Sequence, residues 1–147
     1  MPPPPRTPQQ RKQDALRRLE QDVDAWIATA DPSSGTPYLV PLSYLWDGSV
    51  LLVATPATSV TARNLQASGK VRVGIGPTRD VLIIEGTAQA IEVSPELGDA
   101  FATRTGFDPR QLDGYLYFAI VPRRLQAWRE ANELAGRQLM RDGQWVV

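Results

Sequence analysis

The chain has 147 residues, with sixteen Lys and Arg against sixteen Asp and Glu, and neither cysteine nor histidine. That is the size of one ordinary domain with a core of its own, and the balanced charge gives no global field to draw in nucleic acid or an anionic membrane. The missing cysteine and histidine remove thiolate catalysis, Ser–His hydrolysis and the zinc and haem sites built on those ligands, leaving carboxylate chemistry, an all-oxygen metal site, Lys12 or Lys70, or an organic cofactor.

Residues 1–7 form a proline-rich start that supports neither helix nor ladder, so a mobile or polyproline extension is expected ahead of a single domain over residues 8–147. This start lacks the apolar core of a signal peptide, and no run approaches the ~20 apolar residues of a membrane span, so a soluble cytoplasmic protein is expected. Thr7 and Pro8 suit the N-cap and first position of a helix running to about Gln21, with Leu16, Leu19 and Val23 as its apolar stripe and the arginines as its solvated face. Residues 23–30 and 38–45 are apolar-rich and joined by turn formers, which predicts an antiparallel pair. Pro41 lacks a ladder donor, so one side of the second strand should be unpaired there. The Asp47-Gly48 pair suits a tight hairpin with positive φ at both residues, leading into a third strand over residues 50–55.

Residues 55–65 carry the most information. Four hydroxyl side chains, one arginine and one asparagine open a helical pattern directly behind an apolar strand. The first turn of a helix leaves N–H groups unpaired at the positive end of the dipole, so an anion is stabilised there. Thr58, Ser59 and Thr61 add neutral donors and Arg63 a cation. The alternative is that Thr58 only caps a surface helix, and that Asn64 only bonds nearby backbone. The helix is expected to end at Gly69, a suitable left-handed residue.

Residues 70–75 and 81–93 alternate as strands around a turn at 76–80, with Gly74 and Gly76 in the wrong setting for a dinucleotide loop and suited instead to close packing or a bulge. Ser94 caps a helix running to about Thr105. Residues 115–121 are strongly β-prone, and Pro122 is expected to break that strand before Leu125, Ala127 and Trp128 resume it. A small hairpin around Asp142-Gly143 ends the chain. Six or seven strands with two or three short helices predict a mainly β fold, an antiparallel barrel hiding both apolar faces and sheet edges.

Trp26-Ile-Ala-Thr29, Gly35-Thr-Pro37, Val40-Pro-Leu-Ser43, Trp46-Asp-Gly48, Val53-Ala-Thr55, Ala62-Arg-Asn-Leu65, Lys70-Val-Arg-Val73 and Glu85-Gly-Thr-Ala88 follow in that order. From about Asp24 to Trp128 the chain resembles the pyridoxamine 5'-phosphate oxidase-like split-barrel superfamily, which includes binders of FMN and of the deazaflavin coenzyme. The resemblance implies a six- to seven-stranded split β-barrel of the flavin-reductase and PNP-oxidase type, assembled as a homodimer with cofactor at the subunit interface. By the same resemblance Val40, Pro41, Leu42 and Ser43 lie along the flavin ring, and Thr55, Ser59, Thr61, Arg63 and Asn64 hold the phosphate. Asp80 and Trp128 are implied as ring contacts reaching across from a partner subunit, with a surface turn as the alternative for Asp80 and core or interface packing for Trp128.

Two departures from that pattern matter. Relatives commonly carry lysine or arginine where this chain has Ser59 and Thr61, and the histidine near the C-terminus of true pyridoxamine phosphate oxidases is absent, which speaks against vitamin B6 oxidation. The function expected from the resemblance is an FMN-binding oxidoreductase that exchanges hydride at flavin N5 with a small-molecule substrate, without metal, catalytic residues unassigned. Ser43 or backbone amides would act as donors near N5, and water, Tyr44 or a carboxylate would deliver the proton. A deazaflavin-dependent reductase, a non-catalytic flavin carrier or sensor, and an empty barrel acting as an interaction module are the alternatives.

Overall fold

A computed structural model describes residues 1–147. Helix α1, Pro8–Gln21, opens with the expected cap: Thr7 Oγ1 accepts from the Gln10 N–H and Gln10 Oε1 accepts from the Thr7 N–H, a reciprocal capping box. It buries Ala15 and Leu19. Its arginines are not simply a solvated face. Arg11 is buried and donates to the carbonyls of Glu133 and Ala135, while Arg18 bonds Asp22 and Asp80. The proline-rich start is also held, since Arg6 bonds Glu133 and the Pro3 carbonyl accepts from Asn132.

The strands are β1 Asp24–Ala30, β2 Pro37–Ser43, β3 Leu45–Trp46, β4 Leu51–Pro56, β5 Lys70–Ile75, β6 Val81–Ile91, β7 Tyr115–Trp128, β8 Gln138–Arg141 and β9 Gln144–Trp145. Seven of them follow the order β2-β1-β5-β6-β7-β4-β3, all antiparallel, with β8 and β9 continuing from β7. The sheet curls so that β2 and β4 approach without pairing, leaving a half-barrel rather than a closed one. This is the split barrel expected from the sequence. Its interior holds Ile27, Val53, Val73, Ile84, Phe118 and Ile120 among twenty buried residues, and α1 covers one end through Leu19.

Strand β4 is a continuous apolar run because both of its faces are covered. Leu51 and Val53 point into the barrel, while Leu52 and Ala54 lie in a second core with Phe101 and Tyr117 beneath helix α3, Pro95–Thr105. Helix α2, Val60–Ser68, ends at Gly69 with φ 70°, as expected.

Two hairpins share the Asp-Gly pair and differ in geometry. At Asp142-Gly143 both residues have positive φ, 52° and 77°, and Arg141 pairs with Gln144 across a two-residue loop. At Asp47-Gly48 only Gly48 is positive. There the flanking pair is Trp46 with Leu51, so the loop is longer, and Asp47 Oδ1 accepts from the N–H groups of Ser49 and Val50 instead. The expectation of a tight turn at Asp47 is corrected by that side-chain bonding.

Pro122 does not break β7. The strand runs unbroken for fourteen residues and absorbs the proline in a bulge, with Glu85 opposite Arg124 and Gly86 opposite Pro122, so that Arg123 has no partner in the register. A Cβ on Gly86 would fall 2.8 Å from the Val121 carbonyl oxygen, so only glycine lets β6 approach the bulge.

Candidate functional site

The sheet ends at β2. This strand pairs only with β1, from Asp24 opposite Ser43 to Ala30 opposite Pro37, so its other backbone edge is unpaired along the whole strand. Pro41 is compatible with that edge. Alternation divides the four candidate ring residues. Val40 and Leu42 are half-buried and pack against the main core, Pro41 is exposed opposite Trp26, and the Ser43 hydroxyl donates to Asp24 Oδ1 at 2.7 Å. What β2 offers a planar ligand is its backbone edge and Pro41, not four side chains in a row.

Tyr44 cannot deliver a proton. It is fully buried, its hydroxyl lies 3.2 Å from the carbonyls of Arg18 and Leu19, and burial pushes its pKa well up. Asp24, exposed and bonded to Ser43, is the carboxylate that stands beside β2.

At the end of β4, Thr55 is buried with its Oγ1 3.0 Å from Ser59 Oγ. Ser59, not Thr58, caps α2, its Oγ accepting from the Ala62 N–H at 3.0 Å. The cap therefore takes one of the donors that an anion would use. The Thr61 N–H, in the first turn of a residue only 2 % exposed, has no acceptor in the chain. Arg63 is exposed and lies close enough to Asp31 to help hold that carboxyl below its usual range, behind the larger effect of the Ser33 and Ser34 hydrogen bonds. Asn64 is buried and one Nδ2 hydrogen goes to Thr29 Oγ1 at 3.1 Å, tying α2 to β1.

Thr55, Ser59, Thr61 and Arg63 are thus gathered around one helix start, and Asn64 in the same helix is bonded to β1. Asp80 and Trp128 lie at the β5–β6 turn end of the sheet. Asp80 is held by Arg18 at 3.0 Å and Arg129 at 3.3 Å, and Trp128 sits opposite Val81 with the Arg137 guanidinium 5.7 Å from its ring. Pro41 lines a groove of about 250 Å³ at that same end, with Trp26, Gly74 and Gly76. A Cβ on Gly76, whose φ is 90°, would fall 2.6 Å from Arg18 Nη1 and 2.7 Å from the Asp80 carbonyl oxygen; this glycine packs closely, as expected. Beside it lies a groove of about 450 Å³ with Trp26, Leu39, Val81 and Ile83, in which Trp26 is 53 % and Leu39 60 % exposed. Sequence reasoning missed this face, although the alternation of buried Ala25, Ile27 and Thr29 with outward Trp26 signals it.

The sequence model of the pyridoxamine 5'-phosphate oxidase family matches residues 12–129. The chain belongs to this family. Solved structures share the fold at low identity. An F420 reductase is 19 % identical with a TM-score of 0.60, covering 74 % of this chain and 93 % of its own. A FAD-binding protein from Mesorhizobium loti is 16 % identical with a TM-score of 0.62, covering 77 % and 90 %. HutZ, the haem storage protein of Vibrio cholerae, is 18 % identical with a TM-score of 0.65, covering 80 % and 94 %. Among curated protein sequences none matches significantly. Members of the fold thus differ in the cofactor they are named for, and the family's ligand has to be argued from residues. The residues around α2 fit a phosphate-bearing group: an N–H without an acceptor in the chain, two hydroxyls in mutual contact and one cation without an ion pair lie at the start of a helix that touches β2. No helix is long and apolar enough to cross a membrane.

Proposed function

We propose that this family member binds a flavin-type cofactor, FMN or the deazaflavin coenzyme, between two copies of the chain and acts as an oxidoreductase on a small molecule. The observation that carries this reading is the unpaired edge of β2 lying in the same half-barrel as the phosphate-suited start of α2. When bound, the cofactor supplies hydride exchange at N5. The protein's part is placement. Thr55, Ser59, the Thr61 N–H and Arg63 hold the phosphate, the β2 backbone and Pro41 align the ring, and Asp24 with its bonded Ser43 is the pair able to hold a proton beside that strand. A second copy seated on the Trp26 and Leu39 groove would cover exposed apolar surface and keep water from the cleft.

With Ser59 and Thr61 neutral, Arg63 is the one cation among the phosphate candidates, which lowers the expected affinity for FMN and keeps the deazaflavin coenzyme as the alternative. The absorption spectrum of the purified protein, followed by titration with FMN and with the deazaflavin coenzyme, tests the assignment. Binding of one of them, a dimeric mass in solution and about a tenfold loss of affinity in Arg63→Ala are expected. A colourless protein that binds neither overturns it. Reduction of the bound cofactor by NAD(P)H with turnover of an acceptor separates an enzyme from a carrier or sensor.

A further inference from the structure

The chain has sixteen cationic side chains, and most are engaged. Eight arginines meet carboxylates. Four further cations donate to backbone carbonyls. That leaves Arg63, Lys70, Arg123 and Arg141, and three of these four line one trough. Lys70, Arg72, Glu85 and Arg123 border a groove of about 520 Å³ across β1, β5 and β6. Through the shared Glu85 and Arg123 it continues into about 360 Å³ bounded by Arg124, Arg141 and Asp142. Five cations face two acids there, an excess of three positive charges in a chain whose net charge is zero.

The local backbone builds this excess. In a regular strand Arg123 and Arg124 would point to opposite faces. The bulge at Pro122 turns both outward, side by side, and Gly86 makes the bulge possible by leaving room for the Val121 carbonyl. Glu85 is then shared between Arg72 at 3.2 Å and Arg124 at 3.5 Å, so one carboxylate serves two guanidiniums. Like charges crowded along a concave surface repel, and a ligand of opposite charge relieves that repulsion. The bulge that accommodates Pro122 thus also sets two arginines on one face, beside Glu85.

We propose that this trough is a binding site for a small, extended polyanion, a molecule carrying several phosphate or carboxylate groups in a row. A single phosphate would meet only part of it. The site shares no residue with the α2 start, and it meets the Trp26 and Leu39 groove only at Ala28 and Arg72.

Calorimetric titration of the full chain with inorganic tripolyphosphate at low salt tests this. Binding is expected, at least tenfold tighter than orthophosphate and weakening as salt rises. The paired substitution Arg123→Gln with Arg141→Gln should weaken it at least tenfold, and Lys70→Gln alone about threefold, which keeps the test open if the double variant folds poorly. Glu85→Gln should tighten binding severalfold, while Glu130→Gln, the same change of net charge outside the trough, should leave it unaltered. Displacement of tripolyphosphate by ATP, or by the deazaflavin coenzyme but not by its tail-free core, supports the site and names the source of the anion. Absence of tripolyphosphate binding overturns the proposal. So does equal tightening in Glu85→Gln and Glu130→Gln, or tighter binding of a single-stranded oligonucleotide that the same variants abolish.

Discussion

Arg6, Arg18 and Arg129 lie among Asp14, Asp80 and Glu133, whereas Arg123 and Arg141 lie beside other cations. In the first region every guanidinium has an acid within reach, and Glu133, 2 % exposed, accepts from the Arg6 N–H, Nε and Nη2 and from the Arg129 N–H, at 2.7 to 3.0 Å. That cluster joins the chain's start to its last third and serves the fold. In the second region a bulge and an obligatory glycine set five cations around only two acids, Glu85 and Asp142. The same residue type does opposite work because backbone geometry, not composition, decides whether a carboxylate is within reach.

Substitutions can break this contrast, and the largest effect belongs to the self-satisfied cluster. Glu133→Ala strands Arg6 without its buried partner and should cost about 3 kcal/mol of stability, read by urea unfolding at neutral pH. Its pKa, drawn by the Arg6 hydrogen bonds from 4.5 to about 2, adds a pH signature. Because the folded value is depressed, the contribution is full above pH 4.5 and is lost as pH falls toward 2, so the gap between wild type and variant should narrow over that window. Gly86→Ala places a Cβ 2.8 Å from the Val121 oxygen and 3.0 Å from Ile120 Cγ2, and should cost about 2 kcal/mol while disturbing the Arg123–Arg124 pair. If it also lowers tripolyphosphate affinity, the link between bulge and trough is sharpened.

Smaller effects locate the tie between α2 and β1. Asn64→Ala removes the donor to Thr29 and should cost about 1 kcal/mol, with flavin affinity unchanged once the protein is folded. At the bottom of the scale, Arg141→Ala should leave the melting temperature where it is, since that side chain has no partner to lose. A clear drop there would show that the trough serves stability after all.

The sequence made much of the barrel legible because local signals and tertiary demand agreed. Thr7, Ser94 and Gly69 sit where capping chemistry puts them, and Pro41 lies on an edge strand as a missing ladder donor requires. The errors lie where a distant partner overrides a local rule. Pro122 looks like a strand end until Gly86, thirty-six residues earlier, is seen to accommodate the bulge. The bond from Asn64 to Thr29 spans thirty-five residues of sequence and has no local signal, and Tyr44 looks free until the end of α1 claims its hydroxyl. The trough was invisible because its members come from β5, β6, β7 and β8, and only the register brings them together.

Strand β7 hydrogen-bonds with β4, β6 and β8 alike. A nascent chain that has not yet reached Tyr115 therefore holds two unconnected pieces, the four-stranded β2-β1-β5-β6 sheet and the β3–β4 hairpin, each with an apolar face bare to water. The fourteen residues of β7 act as the zip between them, so the barrel is expected to assemble late in synthesis, and the amides at the middle of β7 to be among the last to exchange with deuterium.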